Sequence, residues 1–170
     1  GPLRQQLDWK WVRPEQYHLT LRFLGEVDES ALASYSTHWS KAFAEQPVFS
    51  LRLKGCGTFP ERGAAKVLWC GVDKGTEEWR VLCRLAGNEE PWHRLQPHVT
   101  LARCRDRQHS AVLGRWMNHH RETVWGEQKV NRAILYQSQL QPKGPIYTEL
   151  QSFPLRSSDR IDELPANDLR

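Results

Sequence analysis

Residues 17–27 read YHLTLRFLGEV, and residues 97–104 repeat the pattern as PHVTLARC. Successive side chains on a β-strand point to opposite faces, so positions i and i+2 share one. His18 and Thr20 therefore project together, with Leu19 and Leu21 on the other side. His98 and Thr100 do the same against Val99 and Leu101. One such strand is the mark of a histidine satisfied in a core. Two copies, each with apolar partners and each with leucine after the threonine, predict two polar pairs converging across a groove.

The segments around these strands set the fold class. Residues 17–24 read as a strand, followed by a helix that Asp28 caps and that runs to about Ala44. Its stripe is Leu32, Tyr35, Trp39 and Phe43, and Pro47 ends it. VFSLRLKGCGTF alternates as a strand buried on one side. KVLWCGV is almost continuously apolar and reads as a central strand. Thr76 is expected to cap a helix with the stripe Trp79, Leu82, Cys83 and Ala86, ended by Gly87. The second motif strand covers 98–104, a short helix 109–119, and NRAILYQSQL with IYTELQSFPL form a long hairpin across QPKGP.

Segments 17–73 and 98–155 thus follow one plan. The expectation is a bilobal, duplicated α+β fold, with two antiparallel sheets facing a central groove and helices outside. Residues 1–156 are read as a single domain of two pseudo-symmetric lobes, and 157–170 as a charged tail.

The chain has 170 residues, 39% hydrophobic and 26% charged, with eight tryptophans, a globular composition rather than a disordered one. The net charge is +4. The tail holds four acids and two arginines, a charge of −2, so the residues before it carry +6. That surplus suits an anionic ligand and would speed encounter with nucleic acid. Cys56, Cys70, Cys83 and Cys104 lack CxxC spacing and read as reduced core thiols. No apolar run reaches membrane-spanning length and no secretory signal opens the chain. With the reduced cysteines, the expectation is a cytoplasmic monomer without a membrane partner. His93, His98 and Cys104 match no familiar zinc spacing, and no cofactor is expected.

Two histidine–threonine pairs facing one groove suit the hydrolysis of a cyclic phosphodiester. Water must lose a proton to attack phosphorus, and the departing ribose oxygen must gain one. Imidazole serves either end near neutral pH. Threonine hydroxyls can hold the non-bridging oxygens while charge grows on them. This chemistry needs no metal.

The stretches VRPEQYHLTLRFLGEV, KVLWCGV, QPHVTLARCR and LYQSQLQPKGPIYTEL together resemble the 2H phosphoesterase superfamily, named for its two His-x-Thr motifs. Within it the chain is similar to the bacterial RNA 2′,3′-cyclic phosphodiesterases, also called 2′-5′ RNA ligases. The resemblance implies a catalytic centre of His18, Thr20, His98 and Thr100 that opens an RNA-terminal 2′,3′-cyclic phosphate to a 2′-phosphate. It places Arg103 as a phosphate or substrate contact, with a surface salt bridge as the alternative. Phe23 is a candidate for stacking on a base, with core packing as the alternative, and Tyr147 matches a family position that packing explains as well. It favours His98 as the base for water and His18 as the acid, an assignment the residues themselves leave open.

Such proteins usually open with a strand and a long helix. Here only GPLRQQLDWKW precedes VRPE, so that first strand is expected to be absent. Two other functions stay open at this point: a 2′-5′ ligase or phosphodiesterase acting on other nucleotides, and a non-catalytic RNA- or nucleotide-binding module.

Overall fold

A computed structural model describes residues 2–108, 111–139, 141 and 145–157 of the chain. The charged tail, apart from Ser157, and most of the QPKGP turn lie outside the described residues. The elements are α1 (Pro2–Gln6), β1 (Lys10–Trp11), α2 (Glu29–Ala44), β2 (Phe49–Phe59), β3 (Ala65–Lys74), α3 (Thr76–Leu85), β4 (His98–Gln108), α4 (Ala111–His119), β5 (Val124–Val130), β6 (Arg132–Gln139) and β7 (Ile146–Pro154). Among the described residues, no helix is long and apolar enough to cross a membrane.

The chain forms two compact units. One takes residues 1–23 and 50–128, the other 24–49 and 129–170. Each is assembled from both halves of the sequence, and both His-x-Thr motifs fall in the first.

The first unit is built on a five-stranded sheet in the order β1-β4-β3-β2-β5, antiparallel between β1 and β4, β4 and β3, and β3 and β2. β3 is central, as its apolar run requires. One face of the sheet carries Leu68 and Ala102, both with no exposed surface. There Leu3 of α1, Leu7 just past its end, Trp9, Ala65 and Leu113 of α4 close a core. α3 buries Trp79, Leu82 and Cys83 of the predicted stripe, its fourth member Ala86 is buried at the C-cap, and Thr76 does not cap the helix. The N-cap is Gly75, at φ 82°, a left-handed conformation that glycine adopts without a Cβ penalty.

The second unit pairs β6 with β7 in a two-stranded antiparallel sheet. The Asp28 carboxylate accepts from Ala31 N at 2.7 Å, so α2 starts where expected. Its predicted stripe lands on the hairpin. Trp39 and Phe43 each meet Phe153 at 5.9 Å between ring centroids, and Tyr35 stacks on Trp39 at 5.0 Å. Phe153 is 2% exposed, and burying such a ring contributes about 1.5–3 kcal/mol. Ser36 Oγ donates to Gln151 Oε1 across the same contact.

Residues 17–24 are not the regular strand that their alternation suggests. They touch the sheet through one isolated antiparallel bridge, Leu19 to Val99, and residues 21–25 take no strand pairing.

Candidate active site

The Leu19–Val99 bridge brings the two motifs together. Residues opposite one another in an antiparallel pair share a face, so His18 lies alongside Thr100 and Thr20 alongside His98, all on one side. Their apolar partners take the other side. Val99 is 6% exposed and Leu19 half-buried. His18 is exposed, and Thr20, His98 and Thr100 are half-buried, so all four remain open to a ligand.

The two imidazoles are held in the same way. His18 Nδ1 lies 2.8 Å from Gln16 O, and His98 Nδ1 lies 2.9 Å from Gln96 O. A carbonyl only accepts, so each Nδ1 carries the proton and donates. A neutral imidazole then has its lone pair on Nε2, ready to take a proton. A protonated one has Nε2–H, ready to give one.

The wall beside His98 is a feature that sequence reasoning missed. Phe59 meets the His98 ring edge-on at 5.0 Å, and Trp69 lies 6.2 Å from it and 5.3 Å from Phe59. The register explains the arrangement: Trp69 pairs with Thr100 on one side and Gly57 on the other, and Gly71 pairs with His98. A Cβ on Gly57 would stand 2.2 Å from the indole, and one on Gly71 would stand 2.8 Å from Lys54 O. Two glycines therefore clear the space across which Trp69 reaches His98. Gly57 and Gly71, flanking an aromatic in neighbouring strands, were the signal that would have found it.

Arg103 reaches the same face by a route that alternation excludes. Counting from His98 and Thr100, residue 103 belongs on the opposite side. Leu68 pairs with Ala102 but Trp69 pairs with Thr100, so Leu101 is the extra residue of a β-bulge. The bulge resets the phase. Val67 shares a face with Trp69 and pairs with Arg103, which returns Arg103 to the side of Thr100. Its side chain is exposed, and none of the salt bridges among the described residues involves it. Phe23 is 84% exposed, which removes core packing as its explanation. Tyr147 lies in the other unit, on β7 opposite Ser138, with its ring 6.0 Å from Tyr136.

The chain is similar to several known proteins. The family model for LigT-like phosphoesterases matches residues 1–69. An RNA 2′,3′-cyclic phosphodiesterase of Archaeoglobus fulgidus is 37% identical over 153 residues, covering 85% of this chain and 82% of its own length. One of Thermus thermophilus is 33% identical over 165 residues, covering 87% and 76%. A crystal structure from Thermus thermophilus superposes with a TM-score of 0.74 at 30% identity, over 92% of this chain and 87% of that one. Escherichia coli LigT complexed with phosphate gives 0.65 at 25% identity, over 86% and 79%. The chain belongs to the LigT-like phosphoesterases of the 2H superfamily, in the family of the RNA 2′,3′-cyclic phosphodiesterases.

Proposed function

We propose that the protein hydrolyses RNA-terminal 2′,3′-cyclic phosphates to 2′-phosphomonoesters, using His18 and His98 as an acid–base pair. The observation that carries this reading is the matched tethering of both Nδ1 atoms to backbone carbonyls, which leaves two Nε2 atoms on one face beside two threonines. Its cyclic phosphodiester substrate is the one for which its relatives are named.

One imidazole accepts a proton from water as the water oxygen bonds to phosphorus. The bond from phosphorus to the 3′ oxygen breaks, and the other imidazole protonates that oxygen. The products are a 2′-phosphate and a free 3′ hydroxyl. One water is consumed, the base ends with the proton that water lost, the acid ends without the one it gave, and exchange with solvent restores both. General acid–base catalysis of this kind contributes about 10²–10⁴-fold. Thr20 and Thr100 hydrogen-bond the non-bridging oxygens, and Arg103 balances their charge. Phe23 stacks on a neighbouring base, as exposed aromatics do in single-stranded RNA recognition. The family resemblance assigns the base to His98 and the acid to His18, and the identical tautomers fit either order.

Turnover in ¹⁸O-water, with a chelator present, tests the reading. One labelled oxygen in a 2′-phosphate product and none in the 3′ hydroxyl is the expected result. A 3′-phosphate product, or no turnover of any cyclic phosphate despite binding, would overturn it.

A further inference from the structure

The first motif lacks a support that the second has. His98 and Thr100 stand in β4, paired through the ladder to Gly71 and Trp69. His18 and Thr20 flank an isolated bridge at Leu19, and the backbone just beyond them is outside any strand. Its carbonyls need other partners.

Asn88 provides one. Its Nδ2 donates to Leu21 O at 2.8 Å, and its Oδ1 accepts from Glu90 N at 3.0 Å, so both ends of the amide are engaged. Arg22 ties the same junction in the reverse direction, donating from Nη1 to Ala86 O at 3.0 Å, at the C-terminus of α3. That nitrogen lies 2.4 Å from where a Cβ of Gly87 would stand, and Gly87 sits at φ +81°.

The loop that carries Asn88 is itself braced. Arg84 donates to Asn88 O and Glu90 O, and the guanidinium groups of Arg80 and Arg84 lie 5.8 and 5.9 Å from the Trp92 ring centroid. Arg80 also donates from Nε to Leu95 O at 3.2 Å. Leu95 precedes Gln96, whose carbonyl holds His98. One loop therefore reaches both motif segments.

We infer that Asn88 is a positioning residue for His18, holding Leu21, one residue beyond Thr20, so that the first motif keeps its place relative to His98. The inference rests on the acid–base reading of His18 proposed above. Small displacements of a catalytic group cost rate rather than ground-state binding.

Asn88→Asp tests it. This substitution keeps the volume and the acceptor for Glu90 N, but turns a carboxylate oxygen toward Leu21 O. With an RNA dinucleotide 2′,3′-cyclic phosphate as substrate, kcat is expected to fall about 10–100-fold with KM within about threefold. Thermal melts establish that the variant is folded at the assay temperature. Arg22→Ala removes the reciprocal tie and gives the same readout should Asn88→Asp unfold. A folded variant with kcat within about twofold of wild type, or one that raises KM at unchanged kcat, overturns the inference. His18→Ala in the same assay separates the two levels. If it keeps wild-type kcat, the acid–base reading has failed. If it loses turnover while Asn88→Asp does not, only the positioning role has failed.

Discussion

Replacing Gly57 by alanine places a methyl group 2.2 Å from Trp69 Cζ2, 2.4 Å from Cη2 and 2.8 Å from Cε2. Carbon atoms settle at about 3.5–4.0 Å, so the indole has to withdraw by about 1.3 Å or more. It has little room, being 8% exposed with Phe59 at 5.3 Å and His98 at 6.2 Å. Two effects oppose. Gly57 has no positive φ, so alanine fits the backbone and gains about 0.5–1 kcal/mol over glycine in a strand. Overpacking costs about 1–3 kcal/mol. At the middle of these ranges overpacking wins, leaving a net loss of about 1 kcal/mol, or about 2–4 °C in Tm for a chain of this size. Because His98 rests on the displaced ring, kcat falls as well. The assay is a double-mutant cycle by thermal and urea melts, with Trp69→Leu making room for the methyl. The combined variant should be more stable than the sum of the single losses predicts. A Gly57→Ala protein that melts at or above wild type, or a cycle additive within about 0.5 kcal/mol, would refute the steric argument.

Three further perturbations follow from the structure. Phe23→Ala should leave Tm unchanged, the side chain being 84% exposed, while KM for an RNA substrate rises about 5–100-fold, the range of one lost base stack. Arg103→Ala should raise KM and reduce the salt dependence of substrate binding by about one charge, with little change in Tm, since no salt bridge among the described residues is lost. Burial pushes the Cys70 and Cys83 thiols up to about 12, with Cys56 adding to the effect on Cys70. Folded values above the ordinary one mean that the native state keeps protons the unfolded chain releases. Their contribution is full below pH 9 and declines as pH rises toward 12, which urea midpoints measured across that range would register as a fall.

Much of this was legible from residue types. The run KVLWCGV read as a central strand because only a strand covered on both sides tolerates so little polarity, and β3 is central. Asp28 and the Leu32–Phe43 stripe located α2 because capping and helical period are local. The paired motifs pointed to one site because period-2 alternation fixes which side chains travel together. What escaped depends on partners distant in sequence. Residues 17–24 alternate like a strand, yet the neighbouring edge of β4 is shared with β1, which pairs Lys10 with Arg103 and Trp11 with Ala102, leaving one bridge for Leu19. β5 was missed because Trp125, Gly126, Glu127, Gln128 and Lys129 show no apolar alternation, and the strand is exposed along almost its whole length. Thr76 looked like a cap, but the left-handed turn at Gly75 ends the preceding strand and starts the helix without it. The bulge at Leu101, which decides the face of Arg103, leaves no mark in the residues themselves.

The central claim is that two tethered imidazoles share the work of proton transfer. The most direct test is the single-turnover rate of His18→Ala and His98→Ala on an RNA ending in a 2′,3′-cyclic phosphate, at saturating enzyme. Each variant should remain folded and lose about 10²–10⁴-fold in rate, leaving the cyclic phosphate intact on the timescale of the wild-type reaction. Wild-type rates in either folded variant would contradict the account.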